Sequence, residues 1–309
     1  MTTLPSFNDS SQWKSTLVVD ARVAANGETG GLPQMARRLM FLVFLGIVLA
    51  GTSAAQDIVL PSSSLRVDRV IPLSELEQNH VGAIRTGGGT QINAVDPNAI
   101  YSNITNFLGS AFTQGAAASG ITRLVMDDVT FTTSAGVGDV TAVRFSVANL
   151  NGVAHSVRAR LRFWNADGAD LGGGLLGPGT YYNGIGFTFN PFTFAPGVTV
   201  ITGGLGAGSF AVPAGTTTTL WAGITFDNVG TTTGATETQL NNFGQGLFNP
   251  VNLGSSQDAL FETTAAGSFL STNSPAGAKV DFGGAPVANT GWELVVGVVP
   301  VELSKFTID

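Results

Sequence analysis

The sequence predicts an all-β protein, a mainly antiparallel, jelly-roll-like β-sandwich. Three observations carry that expectation. From Ile100 onward, short runs with apolar residues at every second position recur between Gly, Pro and Asn. Glycine makes up 41 of 309 residues and only 11% of the chain is charged, a composition of strands and turns. The most regular pair of runs, within Gly138–Trp164, sets Val143, Phe145 and Val147 on one face and Val157, Ala159, Leu161 and Phe163 on one face.

That pair reads as a hairpin. A three-residue loop, Leu150, Asn151 and Gly152, would place Phe145 opposite Val157 and Val143 opposite Ala159, so that both apolar faces coincide. A two-residue Asn-Gly turn would set Arg144 against Ala159 and mismatch the faces. In the first register Arg144 lies opposite Arg158, with Arg160 and Arg162 on the same outer face. Like charges opposed across strands need neutralising, and Asp128, which alternates outward with Thr130 on a nearby strand, is the candidate acid.

The N-terminus has a different character. Residues 1–34 are polar and unpatterned. Arg37-Arg38, an apolar run from Leu39 to Ala50 and small residues at Ser53 and Ala55 then make the three parts of a secretory signal over residues 35–55. Cleavage is expected after Ala55. The apolar run is shorter than the ~20 residues of a membrane helix, so no span is expected in the mature chain. Met35 is an alternative start, which would make residues 1–34 a misassigned extension. Residues 56–99 read as a spacer or edge segment with one strand, Leu65–Ile71, and a helical turn near Leu73–Gln78. The glycines at 87–89 lack the strand–loop–helix frame of a phosphate-binding loop.

The sandwich domain is expected over residues 100–299, with a tail at 300–309. Its strands are expected at Tyr101–Phe107, Ile121–Met126, Val129–Thr132, Val140–Ala148, His155–Trp164, Gly184–Phe189, Phe192–Phe194, Val198–Thr202, Phe210–Val212, Thr218–Phe226, Ala259–Glu262 and Trp292–Val299. Asp127-Asp128 interrupts the alternation and predicts a bulge. Asn190-Pro191 shifts the phase between two strands, and Gly230 to Ser256 reads as a loop. The net charge is −7, and only Lys279 and Lys305 are basic after Arg162, which argues against nucleic acid or an anionic membrane as partner. With no cysteine, the core has no disulfide to support it.

The succession TRLVMDDVTFT (122–132), GDVTAVRFSVANLNG (138–152), RFWNADG (162–168) and LWAGITFDN (220–228) resembles a β-sandwich of exported bacterial surface proteins, those that often carry a PEP-CTERM sorting tail. The chain ends in Pro300-Val-Glu-Leu and Asp309 instead of that tail's Pro-Glu-Pro, helix and basic tip. The resemblance implies export and a cell-surface or matrix setting, and assigns no catalytic residue.

Three groups of side chains are candidates for chemistry. Asn165, Asp167 and Asp170 in a Gly-rich loop, joined by Asp127 and Asp128, offer the oxygen ligands that suit calcium, although Asp, Asn and Gly also simply make turns. Trp164 and Trp221 fall on polar faces and would serve either as sugar-stacking platforms or as rings packed beneath a loop. For catalysis there are two histidines, His80 and His155, and no HExxH, GxSxG or thiol. Glu237, Glu262, Glu293 and Glu302 are the late glutamates from which a glycosidase pair would have to be drawn. The expected function is a secreted, non-catalytic surface, matrix or adhesion protein. Its alternatives are a carbohydrate-binding module, with calcium as a possible stabiliser and extracellular polysaccharide or another surface protein as partner, and a glycoside-active enzyme.

Overall fold

The structure, a computed structural model, describes residues 56–76, 90–91, 94–117, 120–134, 138–229, 234–257, 259–263, 272–280 and 289–297. The expected extension, signal segment and C-terminal tail lie outside these residues, as do His80, Glu302 and the glycines at 87–89.

Two sheets pack face to face, as expected for a sandwich. Among the described residues one sheet has ten strands and the other nine. The nine-stranded sheet is antiparallel. The ten-stranded sheet is mixed, because Gln56–Leu60 pairs in parallel with Tyr181–Phe189. Leu65–Pro72 then adds to the edge of the other sheet, against Gly197–Gly204.

The Gly138–Trp164 stretch is central, although not as a hairpin. Val140–Asn149 lies inside the nine-stranded sheet, between Gly197–Gly204 on one side and Phe243–Phe248 and Trp292–Val296 on the other. His155–Asn165 lies inside the ten-stranded sheet, between Tyr181–Phe189 and Thr217–Asp227. The chain from Leu150 to Ala154 therefore crosses from one sheet to the other, and the expected Phe145–Val157 and Val143–Ala159 pairings do not form. Phe145 pairs instead with Ile201 and Trp292, and Ala159 with Phe226.

The face assignment survives this change. Val143, Phe145, Val147, Val157, Ala159, Leu161 and Phe163 all enter the main core between the sheets. At roughly 1.5–3 kcal/mol for each large side chain, one alternating segment supplies apolar surface to both walls of that core. Asn149 secures the crossing, its Nδ2 donating to the carbonyls of Val153 and Phe194 at 3.0 and 2.9 Å and its Oδ1 accepting from Asn151.

Other expectations need correction. Val125–Thr132 runs as one strand in unbroken register with Thr217–Asp227, with no bulge at Asp127-Asp128. The apolar residues change face there because both faces are covered: Val129 and Phe131 point into the main core, whereas Leu124 and Met126 join a second cluster with Trp164, Trp221, Tyr181, Leu175 and Phe261. The irregularity lies in the neighbouring segment of the sheet, where Ser255 bridges Thr130 and Leu260 pairs with Asp127. Tyr101–Phe107 divides into Ala99–Ser102 and Asn106–Thr113, and Phe210–Val212 contributes only the single bridge Asp139–Ala211. The supposed loop from Gly230 to Ser256 holds a one-turn helix, Glu237–Leu240, capped reciprocally by Thr236 and Gln239, and the buried strand Phe243–Phe248.

Candidate functional site

Trp164 and Trp221 are opposite each other on adjacent strands and fully buried. Neither ring is available to a ligand at the surface. Trp164 packs on Tyr181 with ring centroids 5.2 Å apart, and Trp221 on Phe261 at 5.9 Å. Each indole donates its N–H at 2.9 Å to a covering segment, Trp164 to the carbonyl of Thr272 and Trp221 to that of Leu176. Both rings thus pack beneath loops, and no arginine stem is needed to explain their burial.

The loop acids hold their own loop. Asp167 accepts from the amide and hydroxyl of Thr180 at 2.6 and 2.7 Å. The approach is so close that a Cβ on Gly179 would sit 2.0 Å from Asp167 Oδ1. Asn165 bonds through its backbone to Thr180 and Gly179, and Asp170 accepts from the amide of Gly172. These three are not brought to Asp127 and Asp128, and among the described residues no three His, Cys, Asp or Glu side chains gather into a metal-binding group.

The arginines are neutralised, but not by Asp128. Arg158 and Arg160 both bond Asp227, Arg158 at 2.7 Å. Arg162 is buried, which lowers its pKa, and pairs with Asp57 at 3.2 Å. Arg144 belongs to the other sheet and joins Asp68 at 2.9 Å to the buried Glu293 at 2.6 Å. Burial raises the Glu293 pKa, while Ser102 and Arg144 oppose the rise. Glu262 pairs with Arg123, and Glu237 accepts from the amide of Gly120. His155 is buried with Nε2 unpartnered.

Asp127 and Asp128 occupy the most unusual setting. Both are buried. Asp127 Oδ2 accepts from the amide and hydroxyl of Thr290, at 2.5 and 2.9 Å, and so ties the ten-stranded sheet to the nine-stranded one. Asp128 accepts from the amide of Gln257 through both oxygens, at 3.0 and 2.9 Å. Burial, and next the charge of Asp128, holds Asp127 well above the usual carboxylate range, against the hydrogen bonds from Thr290 and Ser256. Burial pushes Asp128 up to about 6, while Gln257, Ser256 and the charge of Lys279 oppose the rise. Sequence reasoning found the two acids but missed Tyr101, Ser256, Asn289 and Thr290 around them. These residues are contributed by segments far apart in the chain, and no local spacing links them.

No protein-family model matches this chain, and neither does any curated protein. Among solved structures it is similar to the clostridial cysteine protease Cwp84 after propeptide cleavage. The identity is 8%, the match covers 61% of this chain and 40% of that protein, and the TM-score is 0.33. That likeness concerns shape alone, and brings neither activity nor ligand to this chain.

Proposed function

We propose that this chain is an exported, non-catalytic β-sandwich module of a bacterial cell surface or extracellular matrix, where its stability is its contribution. The observation that carries this reading is the inward use of its candidate chemistry. Both suspect tryptophans are fully buried and bonded to covering loops, and the arginines Arg144, Arg158, Arg160 and Arg162 are all ion-paired to acids of the same chain. Export is supported by the tripartite segment at residues 35–55. The carbohydrate-binding alternative has lost the stacking platform that motivated it.

Expression with the native leader in a bacterial host tests both halves. The expected product is extracellular or surface-bound, begins at Gln56 by N-terminal sequencing, and neither cleaves nor binds an array of polysaccharides. Retention of Leu39–Ala50 in a cytoplasmic product would overturn export. Saturable glycan binding or hydrolysis would overturn the non-catalytic scaffold.

A further inference from the structure

We infer that the ten-stranded sheet is a head-to-tail assembly surface for a second copy of this chain, with Gln56–Leu60 of one copy adding antiparallel to Gly277–Val280 of another. The inference extends the scaffold reading to assembly and does not depend on export.

The first observation is the pairing register. Among the described residues these two strands are the ends of the sheet. Lys279 and Asp57 terminate one unbroken row of paired residues, which crosses the sheet by way of Met126 and Arg162. Ala278 and Ile58 terminate the next row, which passes through Val125 and Leu161. Of the six ladders on this path five are antiparallel and one is parallel, so the two end strands run in opposite senses. A second copy displaced along the rows therefore presents its first strand antiparallel to its neighbour's last one. Lys279 then lies opposite Asp57 of the second copy, and Ala278 opposite Ile58. Residues opposed in a row share a face, so both rows continue across the contact without a slip.

The second is charge. Each end strand carries a single charged residue, Asp57 on one and Lys279 on the other. Pairing either edge with its own kind brings like charges together, whereas pairing the two edges opposes acid and base. Asp57 bonds Arg162 at 3.2 Å within its own copy, yet its side chain stays 42% exposed.

The third is the state of the edges. In the nine-stranded sheet, Leu65–Pro72 has a bulge between Val67 and Arg69 and the charges of Arg66, Asp68 and Arg69. Bulges and edge charges discourage strand addition. Gln56–Leu60 has neither bulge nor basic residue, and Val59 is 62% exposed. In the shared register Val59 falls opposite Gly277, where a Cβ would lie 2.4 Å from the Phe261 ring. Val59 of the second copy would thus meet that ring. Main-chain hydrogen bonds supply the affinity of such an addition, and the side chains select its register. Because the two edges differ, the contact is heterologous and repeats from copy to copy, as a ring or a filament.

The test is sedimentation velocity of the purified full chain across a concentration series. The wild type should pass from monomer to dimers and larger assemblies as concentration rises. Lys279→Glu sets acid against acid and should hold the chain as a monomer at every concentration. Val59→Lys should do the same from the opposite edge, at a position exposed enough to leave folding intact. A cross-link reads the register, because the chain has no cysteine. Gln56→Cys mixed with Val280→Cys should give a disulfide-linked dimer under oxidised glutathione, and neither protein should do so alone. A wild type that stays monomeric throughout would overturn the proposal, as would assembly that persists in either folded charge variant. Equal cross-linking in the mixed and single samples would overturn the head-to-tail arrangement.

Discussion

Two charged clusters on the same sheet have opposite electrostatic solutions. Arg158 and Arg160 reach toward one buried carboxylate, Asp227, at the end of the Thr217–Asp227 strand. Asp127 and Asp128 lie on the neighbouring strand, with Ala222 and Trp221 as their partners in the ladder, and have only neutral hydrogen-bond donors in direct contact among the described residues. The first cluster carries its own counter-charge, so it can be read as structure. The second is held by neutral hydrogen-bond donors, and burial raises the pKa of both of its carboxyls. Buried carboxylates on one sheet are therefore stabilised in two different ways.

The largest expected effect comes from breaking the compensated cluster. Asp227→Ala leaves two arginines side by side without their acid. It should destabilise the fold by about 3 kcal/mol, the low end for a broken buried pair because both arginines keep some contact with water. Denaturant unfolding measures this, and a loss under about 1 kcal/mol would make the cluster incidental.

The uncompensated pair should respond with the opposite sign. Asp128 has a folded-state pKa of about 6 against an ordinary 3.8, so the folded chain binds that proton more tightly than the unfolded one does. Its contribution to stability is fully favourable below the ordinary value and is lost as pH rises through about 6. The gap between the two pKa values costs roughly 1.4 kcal/mol for every tenfold change in proton affinity. The wild type should therefore lose up to about 3 kcal/mol between pH 4 and pH 7 relative to Asp128→Asn. Melts of both proteins across that range check the difference. Parallel curves would mean that the carboxylate carries no such burden. Glu293, also raised, adds a slope of the same sign in both proteins and cancels in the comparison.

The smallest effect belongs to the exposed loop. Asp167→Ala removes two hydrogen bonds to Thr180 and should cost about 1 kcal/mol. A loss as large as that of Asp227→Ala would put the loop on a par with the buried cluster and undo the contrast.

The sequence was legible in faces and much less so in neighbours. Alternation assigned Val143, Phe145 and Phe163 to the core correctly, because a residue's side of a strand depends only on its position along it. It could not distinguish a hairpin within one sheet from a crossing between two, since both turn the same residues inward. Phe243–Phe248 escaped notice because its alternate residues include Gly244 and Gly246. A Cβ on Gly244 would lie 1.8 Å from the Phe112 carbonyl, so what looked like loop glycine marks a close approach of backbones. At Asp127-Asp128 a covered outer face was mistaken for a bulge, because a strand buried on both sides loses its simple alternation. The residues surrounding the acid pair carry no local signal, because Tyr101, Ser256 and Asn289 meet only in the assembled sandwich.

Side chains that resemble a binding surface in the sequence lie inside the fold, and Trp164 is the sharpest place to break that assignment. The measurement is denaturant stability together with polysaccharide binding for wild type and Trp164→Ala. Removing a fully buried ring that bonds Thr272 should cost about 3–5 kcal/mol and leave binding to every polysaccharide unchanged. A Trp164→Ala protein of wild-type stability that loses binding to a polysaccharide would contradict it.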